Sequence, residues 1–325
     1  MRLESAAADA GSEYGVVHLA NELGARPFLL FVMLVGVALT SSVALFFTLR
    51  WSAVHARGVW RFAVTKWRRL ARRPLIQRAE VKFPTVWRFM RTLTATEYFV
   101  VHAAIGFVVA LSCVGFLAIA DEVVEEDTAV RVDLELAASL HRSASPATVR
   151  FFRIFTFLGG GIGIAIVGVA VGILLLRRGR NLLAAGWAIA LLGVGALNAA
   201  LKAAFARPRP SFDNPWVTPN GWSFPSGHSM GTWVAAGMLA YLWIILRPRN
   251  PSVPRLGTPM PTMAQWVVVC CAIAFSVAMG FSRLLLGAHY LTDVIGGFAA
   301  GTVWLGACIS GIEVARRRPL LPKQG

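Results

Sequence analysis

The chain contains 325 residues, of which 56% are hydrophobic and only 15% are charged. Soluble domains average about 45–50% apolar and about 25% charged residues, so this composition excludes a disordered chain and argues against an ordinary soluble enzyme. The 32 Lys and Arg residues outnumber the 16 Asp and Glu residues and give a net charge of +16. Such an excess is typical either of nucleic-acid binding or of the cytoplasmic loops of a membrane protein. The positions of the charges decide between these two interpretations.

Seven apolar stretches, each close to the length needed to cross a bilayer, predict transmembrane helices. They cover residues 28–49, 98–120, 154–176, 182–201, 230–246, 263–281 and 291–312. The sequence therefore predicts an all-α integral membrane protein. Its six-helix transmembrane core spans residues 98–312, and the N-terminal extension 1–97 adds one further transmembrane helix.

Basic residues concentrate in connections that a single orientation of the chain places in the cytoplasm. Twelve Lys and Arg residues lie within residues 50–91, opposed only by Glu80, and the tail 313–325 is also basic. Connection 121–150 carries seven acidic residues against three arginines, and its apolar residues predict an amphipathic helix on the outer surface. By the positive-inside rule, segment 50–91 and the tail are cytoplasmic. Most of the charge excess therefore reports topology and not nucleic-acid binding.

Two outer connections carry basic residues that this rule does not explain. Lys202, Arg207 and Arg209 lie in or beside the first connection, and Arg283 lies in the second. Basic residues at membrane depth, or just above it, are candidates for a functional site. Arg207 is interpreted either as a second substrate contact or as a solvated charge.

Three short blocks of residues contain most of these cations. Their patterns are K-x6-R-P, P-S-G-H and S-R-x5-H-x3-D, and they begin at Lys202, Pro225 and Ser282. Each block lies next to the outer end of a predicted span. The alternating direction of the spans brings all three blocks to the same face of the membrane.

The residue types in these blocks suit the binding of a phosphate ester. Lys202, Arg209 and Arg283 supply three cations, and the two guanidinium groups can hold phosphate oxygens bidentately. Ser226 offers a hydroxyl, and Gly227 lets the backbone at a helix N-terminus approach an anion closely. These five residues are the predicted phosphate-binding set.

The third block also pairs an imidazole with a carboxylate. His289 and Asp293 are four residues apart, which places them on one face if this segment is helical. Asp293 can accept a hydrogen bond from one ring nitrogen and fix the tautomer, so that the other nitrogen is free to attack phosphorus.

The three blocks resemble the signature of the type 2 phosphatidic acid phosphatase superfamily, with all eleven fixed positions matched in order. The resemblance covers about residues 98–312. It implies that His289 is the nucleophile that forms a phosphohistidine, that Asp293 orients it, and that His228 is the general acid for the leaving oxygen. It implies no metal and no other cofactor.

We therefore expect a metal-independent membrane phosphatase that removes the terminal phosphate of a lipid phosphate or diphosphate. An active site on the periplasmic face of a bacterial inner membrane favours undecaprenyl diphosphate, with phosphatidic acid or phosphatidylglycerol phosphate as the alternative. The expected partners are the lipid substrate and the bilayer, with no nucleic acid, and the sequence indicates no oligomeric state. An anion transporter with a cationic outer vestibule, or a non-catalytic membrane scaffold, is the alternative from another class.

Overall fold

The structure, a computed structural model, describes residues 14–44, 46–48, 96–125, 128–247 and 262–317. All regular secondary structure in these ranges is helical. The predicted basic segment 50–91 and residues 318–325 of the predicted basic tail lie outside the described residues.

Ten α-helices form in these ranges and are numbered in chain order. They are α1 (residues 14–24), α2 (Pro27–Thr48), α3 (Thr96–Glu125), α4 (Thr128–Ser143), α5 (Pro146–Phe155), α6 (Gly161–Arg177), α7 (Asn181–Phe205), α8 (Gly227–Leu246), α9 (Met263–Leu285) and α10 (Leu291–Arg317). Within the described residues, α2, α3 and α7 to α10 are long and apolar enough to cross a membrane. Helices α5 and α6 pass the same test only as a bent pair, which makes a seventh span if the two count as one. The predicted all-α integral membrane fold is confirmed.

The third predicted span, residues 154–176, is not one straight helix. A 3₁₀ turn over Thr156–Gly159 follows α5, and the extended Gly160, with a ψ of 165°, separates it from α6. The axes on the two sides of this break differ by 42°. Gly159 packs closely on α8, since a Cβ there would lie 2.5 Å from Thr232 Oγ1. Hydropathy does not reveal the break, because glycines continue an apolar run although they weaken a helix.

Replacing Gly163 with alanine is expected to lower the melting temperature of the protein in detergent. A Cβ at Gly163 would lie 2.4 Å from Phe157 O and 2.7 Å from Leu158 O, and these backbone atoms cannot rotate away as a side chain could. We expect a loss of about 1–3 kcal/mol. Gly161→Ala is the matched control, because its Cβ would meet nothing within 4 Å and alanine favours helix formation. Equal melting temperatures for the two variants would contradict this packing.

Helices α7, α8 and α10 share an apolar core that includes the buried Trp187, Met230 and Val234. The C-terminal ends of α7 and α9 lie beside the N-terminal ends of α8 and α10: Lys202 Nζ donates to Ser223 O, and Arg209 Nη1 donates to Ala288 O. At this end the Ser226 N–H donates to Asp293 O over 2.9 Å. The close packing of α8 on α10 requires a residue without a side chain, since a Cβ at Gly297 would lie 2.8 Å from Ser226 O. One end of the bundle therefore carries all three sequence blocks.

Candidate active site

Four helix ends and the turns between them hold the residues of the three blocks. Lys202 lies in the last turn of α7, Arg209 in the segment that follows, and His228 in the first turn of α8. Ser282 and Arg283 belong to the last turns of α9. Their prediction as part of an outer connection is therefore wrong, because α9 continues to Leu285.

A glycine turn connects Arg283 to His289. Gly287, with a φ of +64°, ends α9; its N–H donates to Leu284 O over 2.9 Å, and the Ala288 N–H donates to Arg283 O over 3.0 Å. These are the two hydrogen bonds of a Schellman motif, which requires a left-handed residue after the helix. The motif fixes the position of His289 relative to Arg283.

His289 and Asp293 form the expected pair, but not on a shared helix. Helix α10 begins at Leu291, so His289 precedes it, and the predicted helical face for both residues is wrong. His289 Nδ1 nevertheless lies 3.2 Å from Asp293 Oδ2. The same carboxylate oxygen accepts the Tyr290 N–H over 2.9 Å, which is one half of a capping box. Asp293 therefore both caps α10 and orients the imidazole.

The Asp293 carboxylate is fully buried and has further donors. Ser223 Oγ donates to Oδ2, and Arg207 Nη1 donates to Oδ1 over 2.7 Å. Hydrogen bonds on both oxygens prevent the carboxylate from rotating. The imidazole of His289 is therefore held with its Nδ1–H directed at Asp293, and its Nε2 is left as an acceptor.

The Nε2 atom of His289 faces Arg209. Arg209 Nη1 lies 3.1 Å from it and donates to it in this tautomer. Burial lowers the pKa of the His289 imidazole to about 4, although the hydrogen bond from Nδ1 to Asp293 favours the charged form. The ring is therefore neutral at pH 7, which is the state that a nitrogen nucleophile requires.

The His289 imidazole is expected to titrate near pH 4, below its ordinary value of 6.5. It should remain neutral down to about pH 5 and become protonated only as the pH falls through about 4, because burial penalises the cation. Histidine-selective NMR in detergent measures this directly, with the His289 signal identified by its absence from His289→Ala. A midpoint near 6.5 would contradict the buried environment.

Three backbone carbonyls hold the Arg209 guanidinium beside this nitrogen. Its Nη1 donates to Ala288 O over 2.7 Å, its Nε to Gly221 O over 2.8 Å, and its Nη2 to Asn220 O over 3.2 Å. Arg209 is therefore fixed in position by carbonyls from two segments, residues 220–221 and Ala288.

The other two predicted phosphate-binding cations lie close by. Lys202 Nζ donates to Trp222 O and, over 3.0 Å, to Ser223 O. Arg283 is buried; its Nη1 donates to Thr156 Oγ1 over 2.9 Å, while its Nε is buried without a hydrogen-bond partner in the described part of the chain. Lys202 interacts electrostatically with both arginines, 209 and 283. The site thus gathers three cations that repel one another.

The P-S-G-H block begins α8. Ser226 is the N-cap and is fully buried; its hydroxyl accepts from Ser229 N over 3.4 Å and from Ser229 Oγ over 3.0 Å. A Cβ at Gly227 would lie 2.8 Å from Asn198 Oδ1, so glycine there lets the Asn198 side chain pack closely against the start of α8. The structure gives both residues a structural role, and their contact with phosphate stays a prediction.

His228 lies beside the break in the third span. A Cβ on Gly160 would lie 3.5 Å from His228 Nε2, at van der Waals contact with the imidazole. The charges on Arg283, Arg209 and Lys202 all act on His228. His228 therefore lies within electrostatic reach of the three predicted phosphate-binding cations.

Sequence reasoning missed the pairing of Asp133 with Arg207. Arg207 is neither solvated nor free to bind substrate: it is buried in ion pairs with Asp133 and Asp293, at 2.9 and 2.7 Å. Asp133 was expected only to contribute to the acidic outer connection. The available signal was its position in α4, where it shares the apolar face of Leu136 and Leu140, and an acid on such a face needs a partner.

No group of three or more His, Cys, Asp or Glu residues is arranged to hold a metal ion within the described ranges. The cations of the site are side chains of Lys and Arg.

A family model described as PAP2 superfamily matches residues 181–317, which contain α7 to α10 and all three blocks. Phosphatidylglycerophosphatase B of Bacillus subtilis (strain 168) is 35% identical over 105 residues, or 32% of this chain and 46% of that protein. The match thus spans about half the length of that relative. Decaprenylphosphoryl-5-phosphoribose phosphatase of Mycobacterium tuberculosis (strain ATCC 25618 / H37Rv) is 30% identical over 162 residues, or 48% of this chain and 75% of that protein.

The fold also resembles a solved membrane structure. The crystal structure of a transmembrane PAP2 type phosphatidylglycerolphosphate phosphatase from Bacillus subtilis aligns with a TM-score of 0.53 and 26% identity, covering 65% of this chain and 98% of that one. The three blocks, the helical architecture and these similarities agree. The chain belongs to the PAP2 superfamily, the type 2 phosphatidic acid phosphatases.

Proposed function

We propose that this protein is a membrane lipid phosphatase that releases a terminal phosphate through a phosphohistidine intermediate. The observation that carries the proposal is the geometry of His289, whose Nδ1 lies 3.2 Å from Asp293 Oδ2 and whose Nε2 lies 3.1 Å from Arg209 Nη1. A nitrogen nucleophile next to a fixed cation is suited to attack a phosphorus atom whose oxygens that cation binds.

The reaction proceeds in two steps. In the first, Arg209 Nη1 exchanges its hydrogen bond to His289 Nε2 for one to a phosphate oxygen, which frees Nε2 to form a bond to phosphorus. The bond to the leaving oxygen breaks, and His228, protonated in the substrate complex, gives its proton to that oxygen. In the second, His228 takes a proton from water, the water oxygen bonds to phosphorus, and the phosphorus–Nε2 bond breaks to release inorganic phosphate. The Asp293 carboxylate balances the positive charge of the phosphorylated imidazole in between.

The cations of the site supply the phosphate-binding charge. Lys202, Arg209 and Arg283 repel one another, and a phosphate dianion would relieve that repulsion. The buried Nε–H of Arg283, which has no partner among the described residues, would gain an acceptor in the same complex. These side chains provide the neutralisation that a metal ion provides in other phosphatases, so the proposed mechanism is independent of metal.

Charge at the opposite end of the bundle supports an outward-facing site. Arg177 and Arg178, at the end of α6, Arg247 after α8, and Arg316 in α10 all lie at helix ends opposite the site. The positive-inside rule assigns that end to the cytoplasm. The active site would then face the periplasm of a bacterial inner membrane.

This orientation is tested with single cysteines in a variant that lacks the native ones. Asn220→Cys, beside the site, should react with an impermeant thiol reagent in intact cells, and Arg178→Cys should react only after permeabilisation. The reverse pattern would refute the outward-facing site.

The substrate is proposed to be a lipid with a terminal phosphate. The sequence favours undecaprenyl diphosphate. The names of the two relatives favour a phosphomonoester on a polar headgroup, either glycerol or ribose, that is itself joined to a lipid by phosphate. Both classes present the same terminal phosphate to Lys202, Arg209 and Arg283. Contacts to the rest of the lipid must therefore distinguish one class from the other.

The test measures phosphate release by the purified protein in detergent, with and without EDTA. The panel contains undecaprenyl diphosphate, phosphatidic acid, phosphatidylglycerol phosphate and decaprenylphosphoryl-5-phosphoribose. Activity on at least one lipid that persists in EDTA is expected. Release from none of them would refute the phosphatase and favour an anion transporter or a scaffold, and loss of release in EDTA would refute the metal-independent mechanism.

A further inference from the structure

Asp133 lies on a helix outside the region that the family model matches. It nevertheless contacts the end of the bundle that carries the three sequence blocks. It lies on α4 and is only 1% exposed. Its carboxylate accepts the Thr292 N–H over 3.1 Å and also the Thr292 hydroxyl. Thr292 is the second residue of α10, where backbone N–H groups have no acceptor within the helix. Asp133 therefore caps, from another helix, the helix that carries Asp293.

Arg207 joins Asp133 to Asp293. Its Nη2 donates to Asp133 over 2.9 Å, and its Nη1 donates to Asp293 over 2.7 Å. The guanidinium also stacks on the Tyr290 ring, 4.4 Å from the centroid, and Arg207 is only 7% exposed. Because a guanidinium is planar and rigid, fixing one edge fixes the other. The position of Asp133 thus sets how Arg207 meets the Asp293 carboxylate.

Arg207 requires a second acidic partner if Asp293 is to stabilise a positive charge on the His289 imidazole. Asp293 alone would be neutralised by Arg207 and would stabilise a charged imidazole poorly. With Asp133 present, the guanidinium donates hydrogen bonds to two buried carboxyl groups, so Asp293 is not its only acidic partner. Loss of Asp133 would also leave a buried donor of Arg207 without its partner, which costs free energy.

We propose that Asp133 is a positioning residue for catalysis, which acts through Arg207 to hold Asp293 in place and to maintain its charge. The proposal rests on the proposed phosphatase function and adds a residue to its machinery. In the described part of the chain, the hydrogen bonds of Asp133 go to Thr292 and Arg207, and none goes to a phosphate-binding cation. Its loss should therefore lower kcat and leave KM nearly unchanged.

The experiment is a double-mutant cycle on the full-length protein in detergent, with the substrate that the wild type hydrolyses. Asp133→Asn retains an oxygen that can cap Thr292 but removes the charge. We expect kcat to fall about 10- to 100-fold, the range found for the loss of residues that orient metal-ligating side chains, with KM within about twofold. Once Arg207→Gln is present, adding Asp133→Asn should change kcat by no more than about twofold, because the connecting residue is already lost.

Glu135→Gln is the matched control. Glu135 lies on the same helix and pairs with Arg142 over 3.3 Å at the surface, so its kcat should equal that of the wild type. Melting temperature and gel filtration report folding separately. If Asp133→Asn does not fold alone, a loss of more than about fivefold between Arg207→Gln and the double variant would still overturn the role of Asp133.

Wild-type kcat in Asp133→Asn, a raised KM with unchanged kcat, or a further loss of more than about fivefold when Asp133→Asn is added to Arg207→Gln would each overturn the role of Asp133. Any of these results with an active wild type leaves the proposed function standing. An inactive wild type would refute both proposals.

Discussion

Replacement of His289 with alanine is expected to lower phosphate release by about 10⁴-fold or more, since removal of a covalent nucleophile leaves only the contribution of binding and charge. The imidazole is buried and its Nδ1 is held by Asp293, and an alanine would remove the nitrogen that this arrangement directs at the substrate. Phosphate release from the lipid that the wild type hydrolyses is the measurement.

If His289 is a covalent nucleophile, a phosphorylated intermediate must also be detectable. Wild-type protein mixed with a substrate labelled in its terminal phosphate and quenched in alkali should retain the label, because a phosphohistidine survives base and is lost in acid. His289→Ala should retain none. His18→Ala, an exposed histidine on α1, should match the wild type in both assays. Label on His289→Ala, or activity within about tenfold of the wild type, would show that another group attacks phosphorus.

The predicted site residues lie close together in the structure because membrane topology places the three blocks at one face. Each block adjoins the end of an apolar span, and spans that alternate in direction bring every second end to one face. Lys202, Arg209 and Arg283 therefore converge although they lie on or after different helices. The residue types then favour phosphate as the predicted ligand, because guanidinium groups can bind its oxygens bidentately.

Helix ends were harder to predict than helices. Ser282 and Arg283 lie on α9 and His289 lies off α10, because the boundary is set by the Schellman motif at Gly287 and by the Asp293 cap. Hydropathy averages over a window and cannot detect either signal. A glycine four residues after an arginine in the last turn was the local indication of where α9 ends.

Contacts between distant segments could not be predicted from one sequence. Asp133 and Thr292 are 159 residues apart, and Thr156 and Arg283 are 127 apart. No local spacing relates such residues, and their contact depends on how α4 and the 3₁₀ turn pack against the core. The position of Asp133 on an apolar helix face indicates that this acid needs a partner. It does not identify Arg207 as that partner.

Arg209→Lys is expected to lower kcat/KM by about 10²- to 10³-fold, the range found when one fixed donor to a developing negative charge is removed. A lysine keeps the positive charge but loses the planar group that donates to Ala288 O, Gly221 O and Asn220 O. Its ammonium would no longer be held against His289 Nε2, and it cannot bind two phosphate oxygens in one plane.

Vanadate inhibition shows whether Arg209 acts in the transition state, since five-coordinate vanadate mimics the trigonal-bipyramidal phosphorus. If it does, the inhibition constant of vanadate should rise by about the same factor as kcat/KM falls, while KM for the lipid changes less. Arg142→Lys, at the exposed surface of α4, should leave all three quantities within about twofold. A raised KM with unchanged vanadate inhibition would limit Arg209 to ground-state binding. An unchanged kcat/KM would show that Arg209 is not needed for catalysis, although it donates a hydrogen bond to His289 Nε2.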